Sequence, residues 1–308
     1  MKIVYMGTPD FALEPLKALV NSTDFNVIAV VCNHDKPVGR KQILTPPPVK
    51  EYASLVGIPV YQYNKIRNEG VEDLRRLNPD VIVTCAFGQI LSQEIIDIPK
   101  FGVINVHASL LPKYRGASPI HFAILNGEKT TGVTIMKTDA GIDTGDMLIS
   151  NEIEIGEEET CGELFSRLSI IGAELLIKGL TLIKDGKAQF IPQDNQDATT
   201  SKIIRKEMAN IDFSKSSEQV VNQIRAFNPS PIAFTFLNGE QFKIYKAKKT
   251  NGKGKVGEII NSTDKLVIAC GVDAIEVEII QRQGGKPLNV KDFLRGNKLV
   301  VGEVFSNA

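Results

Sequence analysis

Gly102-Val-Ile-Asn105-Val-His107-Ala-Ser109-Leu-Leu-Pro112-Lys-Tyr-Arg115-Gly116 joins an apolar, strand-like run to a polar loop. Two polar side chains with one residue between them close the run. Alternate side chains of an extended strand share a face, so Asn105 and His107 are expected to point into one pocket. An amide and an imidazole placed side by side can donate hydrogen bonds to a single carbonyl oxygen. Acyl-transfer chemistry needs such fixed donors where negative charge grows on oxygen. A lone histidine at a strand end is an ordinary structural residue. Asn105 on the same face makes this one a candidate.

The strand pattern recurs outward from this stretch. Residues 2–6, 27–32, 81–85 and 132–136 are further Val/Ile-rich runs, with amphipathic stretches at 11–20, 48–56, 71–77 and 118–125. Alternating strands and helices predict a parallel sheet covered on both faces. The longest helix is expected from Cys161 to about Ile183, with Thr160 and Glu163 as a capping box. Asp185-Gly186 ends it. From Pro192 to Met208 the chain turns polar and reads as a linker. Beyond it, Ser216 and Gln219 cap a helix at 217–226, and Asn238-Gly239 supplies the turn of a type I′ hairpin. Strands at 256–260, 266–270 and 275–280 follow, then a short helix at 290–294. The expected division is a catalytic domain at 1–189, a linker at 190–207 and a small antiparallel barrel at 208–308.

With 308 residues the chain is long enough for two domains, and 36 basic against 36 acidic residues leave no global field favouring nucleic acid. Any such partner must be held locally, by Lys36-Pro-Val-Gly-Arg40-Lys41 or by the lysines at 243, 246, 248, 249, 253 and 255. No apolar run approaches the ~18 residues of a membrane span, and the opening segment lacks a secretory pattern. Cys32, Cys85, Cys161 and Cys270 are scattered, so buried free thiols, no metal and a cytoplasmic location are expected. The loop at 33–48 carries Pro46-Pro47-Pro48. It is longer than the ~2–6 residues usual between strand and helix, as a functional loop or a tolerated insertion would be.

Gly7-Thr-Pro9-Asp10 sits where doubly wound proteins bind phosphate, but it is not GxGxxG, and no Walker A sequence occurs. A Thr8 cap followed by Pro9 at the first helical position accounts for it. In Asp139-Ala-Gly141-Ile-Asp143-Thr-Gly145-Asp146, the acids either cap turn amides or, if the loop folds opposite His107, supply a carboxylate. Asp143 would then orient the imidazole and accept a proton. Phe87-Gly88-Gln89-Ile90 and Tyr114-Arg115-Gly116 are ordinary loops unless something binds there. Both lie past carboxyl ends of predicted strands, where open α/β sheets place ligands.

Together Asn105-x-His107, Ser109-Leu-Leu-Pro112-x-Tyr-Arg115-Gly116 and Gly141-Ile-Asp143-Thr-Gly145-Asp146 resemble the signature of 10-formyltetrahydrofolate-dependent formyltransferases. The resemblance covers nearly the whole chain. It implies a Rossmann-like parallel-sheet domain followed by an OB-like β-barrel, with Asn105, His107 and Asp143 catalytic. It also implies folate binding by Phe87, Gly88, Gln89, Ile90, Ser109, Leu110, Leu111 and Pro112. Gly7-Thr-Pro-Asp-Phe11, the basic loop and Arg225-Ala-Phe-Asn-Pro229 resemble the tRNA-modifying members. The implied acceptor is therefore the α-amine of methionyl initiator tRNA, with Arg40 and Lys41 as tRNA contacts and a monomeric enzyme. One departure is Asn228-Pro-Ser230-Pro231, where relatives often carry tryptophan; this chain has none.

The nearest rival is a formyltransferase acting on an amino-sugar nucleotide, which would share both domains but resembles the basic loop less well. A glycinamide ribonucleotide enzyme would resemble the first domain alone. A dinucleotide-dependent oxidoreductase would need GxGxxG. A non-catalytic RNA-binding barrel would leave Asn105, His107 and Asp143 without a role.

Overall fold

The computed structural model describes residues 1–39 and 41–306. The chain forms two compact units that are not consecutive stretches of sequence. The first holds Met1–Gly116, Thr131–Ile153 and Phe165–Ser201; the second holds Ala117–Thr130, Glu154–Leu164 and the chain from Lys202 onward.

In the first unit the strands are β1 (Lys2–Gly7), β2 (Asn26–Cys32), β3 (Lys36–Val38), β4 (Ile43–Thr45), β5 (Val60–Gln62), β6 (Val81–Cys85), β7 (Val103–His107), β8 (Arg115–Gly116), β9 (Thr130–Lys137), β10 (Met147–Glu154) and β11 (Thr200–Ser201). Seven of them make one sheet in the order β10-β9-β7-β6-β1-β2-β5. The strands from β7 to β5 run parallel. All five residues of β6 are buried, as expected for an interior strand covered on both faces. One face packs Val4, Met6, Val31, Ile82 and Val103 against Ile66, Leu74 and Ile95. On the other, Phe11 meets Phe165 edge-on at 5.1 Å, and Ser169 Oγ donates to the Phe11 carbonyl at 2.9 Å.

The five predicted strands are all present, but the sheet is mixed, because β9 runs antiparallel to β7. The edge strand β10 was not expected. Its sequence, Met-Leu-Ile-Ser-Asn-Glu-Ile-Glu, holds only a three-residue apolar run, and none of its residues is buried. The helix Cys161–Lys184 forms as predicted. Glu163 accepts from the Thr160 backbone at 2.8 Å and donates its own N–H to Thr160 Oγ1 at 3.3 Å, a cap of about 1 kcal/mol.

The second unit carries β12 (Ala233–Leu237), β13 (Glu240–Thr250), β14 (Ile259–Asn261), β15 (Leu266–Ala269), β16 (Ala274–Arg282) and β17 (Leu288–Asn289). They form a curled antiparallel sheet in the order β12-β13-β16-β15-β14, with β17 beside β16. The predicted hairpin is there, with Leu237 opposite Glu240 and both turn residues at positive φ (Asn238 51°, Gly239 79°). Near the end of the described chain, Ser306 bridges Phe236 on β12, and Val304 bridges Glu258 beside β14. Both edges of the half-barrel thus meet one segment. Phe305 fills the space between, with its ring 5.6 Å from Phe242. The helix Ser217–Ala226 has the full Ser216/Gln219 capping box.

Part of the expected linker at 190–207 belongs to the first unit. Ile191 pairs with Met147, and Thr200 and Ser201 pair in parallel with Arg115 and Gly116. Among the described residues no helix is long and apolar enough to cross a membrane.

Candidate active site

The parallel strands β2, β1, β6 and β7 end side by side, and their carboxyl ends carry Asn33, Thr8, Phe87–Gln89 and His107. Chain order reverses beside β1, which is where open α/β sheets leave a crevice for ligands. Thr8 does not cap the first helix, contrary to expectation; that helix has no side-chain cap. Its hydroxyl donates to the Phe87 carbonyl at 3.3 Å and accepts the Asn33 N–H at 3.2 Å, so it ties three strand ends together. Gln89 tightens the same knot. Its amide donates to Asn33 Oδ1 (2.8 Å) and the Tyr63 carbonyl (3.0 Å), and its oxygen accepts the Ile66 N–H (2.9 Å).

Asn105 is half-buried in β7, and its Oδ1 accepts from Thr84 Oγ1 on β6 at 2.8 Å. With the oxygen engaged, the NH2 end is left as the donor. His107 closes the strand and is buried. Its Nε2 lies 3.0 Å from the Tyr114 carbonyl. A carbonyl can only accept, so Nε2 carries a hydrogen. The other ring nitrogen, Nδ1, stands 3.6 Å from Asp143 Oδ2. Asp143 reaches that position from a left-handed backbone, φ 53°, and Oδ2 also accepts the Gly116 N–H at 2.8 Å. Gly116 is itself at φ 105°, and a Cβ there would fall 2.5 Å from the Ser201 carbonyl oxygen. Only glycine allows β11 to lie so close while the amide faces Asp143.

The folate residues implied by the resemblance fall into two groups. Gly88 and Ile90 are exposed (Ile90 69%), whereas the Phe87 ring is buried and Gln89 is committed to the strand-end knot. Ser109 is wholly buried, and its hydroxyl closes a turn on the Lys113 carbonyl at 2.6 Å. Leu111 is buried as well, while Leu110 and Pro112 are partly open. Past β6 the Ile90 side chain and the Gly88 backbone are open to solvent, and past β7 Leu110 and Pro112 are partly so.

The loop after β2 folds into the β3–β4 hairpin, with Lys36 opposite Thr45. Lys50 clamps its root, donating to Asp35 Oδ1 (2.8 Å) and Gln62 Oε1 (3.0 Å). The lysine holds the Asp35 carboxyl below its usual range, helped by Gln62. Lys41 is exposed at the hairpin tip, beside exposed Val38, Ile43 and Leu44. Arg40 lies outside the described residues.

Sequence reasoning missed several members. Arg115, buried, donates from Nε to Gln193 Oε1 and from Nη2 to Asn195 Oδ1, both at 2.9 Å. Gln193 in turn donates to the carbonyls of Asp143 (2.9 Å) and Gly145 (2.7 Å). No local pattern marks these residues; their partners lie about 50 to 80 positions away. Three lysines of the second candidate basic patch are ion-paired with glutamates. Lys246 pairs with Glu158 and Glu278, Lys248 with Glu276 and Glu278, and Lys249 with Glu218.

Comparison with known proteins gives concordant results. Residues 1–180 match the Formyl transferase family model, and residues 203–298 match Formyl transferase, C-terminal domain. The chain is 45% identical over 309 aligned positions to a protein of Ruminiclostridium cellulolyticum named methionyl-tRNA formyltransferase, covering 98% of this chain and 99% of the relative. A Citrifermentans bemidjiense protein of the same name is 44% identical, covering 98% and 95%. Among solved structures, the N-formyltransferase of Helicobacter canadensis, in complex with folinic acid and dTDP-3-aminofucose, superposes with a TM-score of 0.70. It is 24% identical, with 92% of this chain and 99% of that chain covered, a likeness of fold.

Proposed function

The chain belongs to the formyl transferase family, and we propose that it transfers the formyl group of 10-formyltetrahydrofolate to the α-amine of methionyl initiator tRNA. The acceptor follows from the names of its full-length relatives. The single observation that carries the chemistry is the approach of Asp143 to His107 at the end of β7.

In the reaction, the amine nitrogen bonds to the formyl carbon, the bond from that carbon to the folate nitrogen breaks, and one amine proton ends on that nitrogen. Asn105, its oxygen held by Thr84, turns its NH2 toward the formyl oxygen. His107, with Nε2–H on Tyr114, uses Nδ1; protonated there, it donates to the same oxygen while Asp143 balances the imidazolium charge. Each well-placed donor contributes about 3 kcal/mol to lowering the barrier. Asp143 also takes the proton from the attacking amine, directly or through one water. Gly88, Ile90, Leu110 and Pro112 form the open surface for the folate ring, with Phe87, Gln89, Ser109 and Leu111 shaping it from behind. Arg40 and Lys41 are the tRNA contacts, and the second unit is an OB-like barrel. The four buried free thiols support a place in the reducing cytoplasm.

The test offers labelled 10-formyltetrahydrofolate with charged initiator tRNA and, separately, with amino-sugar nucleotides. Label is expected on the methionyl amine alone. Transfer to a sugar amine with none to tRNA would overturn the acceptor.

A further inference from the structure

The stretch following Pro192 holds the loop that carries Asp143. Both hydrogens of the Gln193 amide are spent on backbone carbonyls within the loop, Asp143 O at 2.9 Å and Gly145 O at 2.7 Å. Its oxygen takes Arg115 Nε at 2.9 Å. The residue after Arg115 is Gly116, whose N–H holds Asp143 Oδ2 at 2.8 Å. Arg115, Gly116, Asp143 and Gln193 therefore close a ring of bonds. In that ring the side chain of Asp143 is fixed by one member and its backbone by another.

We infer that Gln193 is a positioning residue, fixing the main chain at Asp143 and two residues beyond it so that Oδ2 faces Nδ1 of His107. This rests on Asp143 being the catalytic carboxylate. The loop needs such fixing, because Asp143 sits at φ 53°, a conformation that non-glycine residues hold only where the surroundings over-determine it. Gly145 gives a second hold, two residues on. Gln193 also has a blander task, orienting the buried Arg115. The two tasks use opposite ends of one amide and can be separated.

Gln193→Glu keeps an acceptor for Arg115, removes both donors and sets negative charge against two carbonyl oxygens. Gln193→Met removes every bond at nearly the same length. Steady-state kinetics of the full chain with folate donor and charged tRNA, alongside thermal unfolding midpoints, compare these variants with Asp143→Asn. Both Gln193 variants are expected to lose kcat by roughly 10- to 100-fold, the scale of a small misplacement of a reacting group. KM for both substrates should stay near wild type, as should the unfolding midpoint of Q193E; Q193M, which strips buried Arg115 Nε of its acceptor, should lower the midpoint. Wild-type turnover in Q193E beside an inactive D143N overturns the inference alone. So does a raised KM at unchanged kcat, or lost activity in Q193E that follows a fallen midpoint. Full activity in D143N removes the underlying reading, and this inference with it.

Discussion

His107 Nδ1 stands 3.6 Å from Asp143 Oδ2, while the opposite edge of the ring is committed to the Tyr114 carbonyl. The relation decides which nitrogen does the work. Nε2 carries a hydrogen for the carbonyl, so Nδ1 is the nitrogen that faces the carboxylate. Nitrogen-15 spectra of the labelled chain are expected to show Nε2 as the nitrogen that carries the hydrogen. A bare Nε2 would reassign the ring.

Turnover should depend on both members of this pair. His107→Gln and Asp143→Asn are each expected to cut kcat by about 10²- to 10⁴-fold, the range for a positioned acid–base group. Circular dichroism should stay unchanged, since Asp143 is a loop residue and glutamine nearly fills the histidine site. Activity retained in both variants would remove them from the chemistry.

Thr84 holds the Asn105 amide in one orientation. Thr84→Val keeps the shape and deletes the donor, which at about 1 kcal/mol for one hydrogen bond predicts a fall in kcat of roughly fivefold. Thr84→Ser should restore it. An unaffected Thr84→Val enzyme would show that the amide is oriented by other means.

Charge on the two candidate RNA surfaces is not equivalent. Lys248 faces Glu276 across the β13–β16 ladder and lies 3.1 Å from its carboxylate. Lys248→Ala should leave tRNA affinity and its salt dependence almost unchanged, because the local charge is already offset. Arg40→Ala or Lys41→Ala should weaken binding and lower the salt slope by about 1 each, as loss of a phosphate contact does. Filter binding across a salt series separates the two surfaces.

The cysteines should be inert until the chain opens. Burial pushes Cys32 up to about 11 and Cys85, Cys161 and Cys270 to about 12, above the usual thiol value of 9.0. A disulfide reagent at pH 8 should find no reactive thiol in the native chain and four in urea. The folded state holds these protons more tightly than the unfolded chain. Their contribution to stability is therefore intact below about pH 9 and is lost as the pH rises toward the folded values.

Much of the fold was legible because its signals are local. Val/Ile runs marked β1, β2, β6, β7 and β9, two Ser/Thr boxes marked helix starts, and Asn238-Gly239 marked its hairpin. Strand alternation alone puts Asn105 and His107 on one face of β7. What escaped was non-local. The edge strand β10 carries no apolar alternation, and the Thr8 hydroxyl looks like a cap until Phe87 and Asn33 are brought beside it. Gln193, Asn195 and Thr199 give a polar stretch the composition of a linker, yet each bonds back to the segment from Pro112 to Gly116. Register, too, was out of reach: Glu276 and Glu278, which offset Lys246 and Lys248, sit on β16, across a bulged ladder.

The segment from Val304 to Ser306 works as a suture, joined to Phe236 on one side and Glu258 on the other, with Phe305 as its knot. A chain cut at residue 303 would bare two strand borders at once and leave a greasy socket between them. Bare borders are templates for other chains. The expected fate of such a truncation is clumping with its own kind, with the catalytic chemistry lost as a bystander.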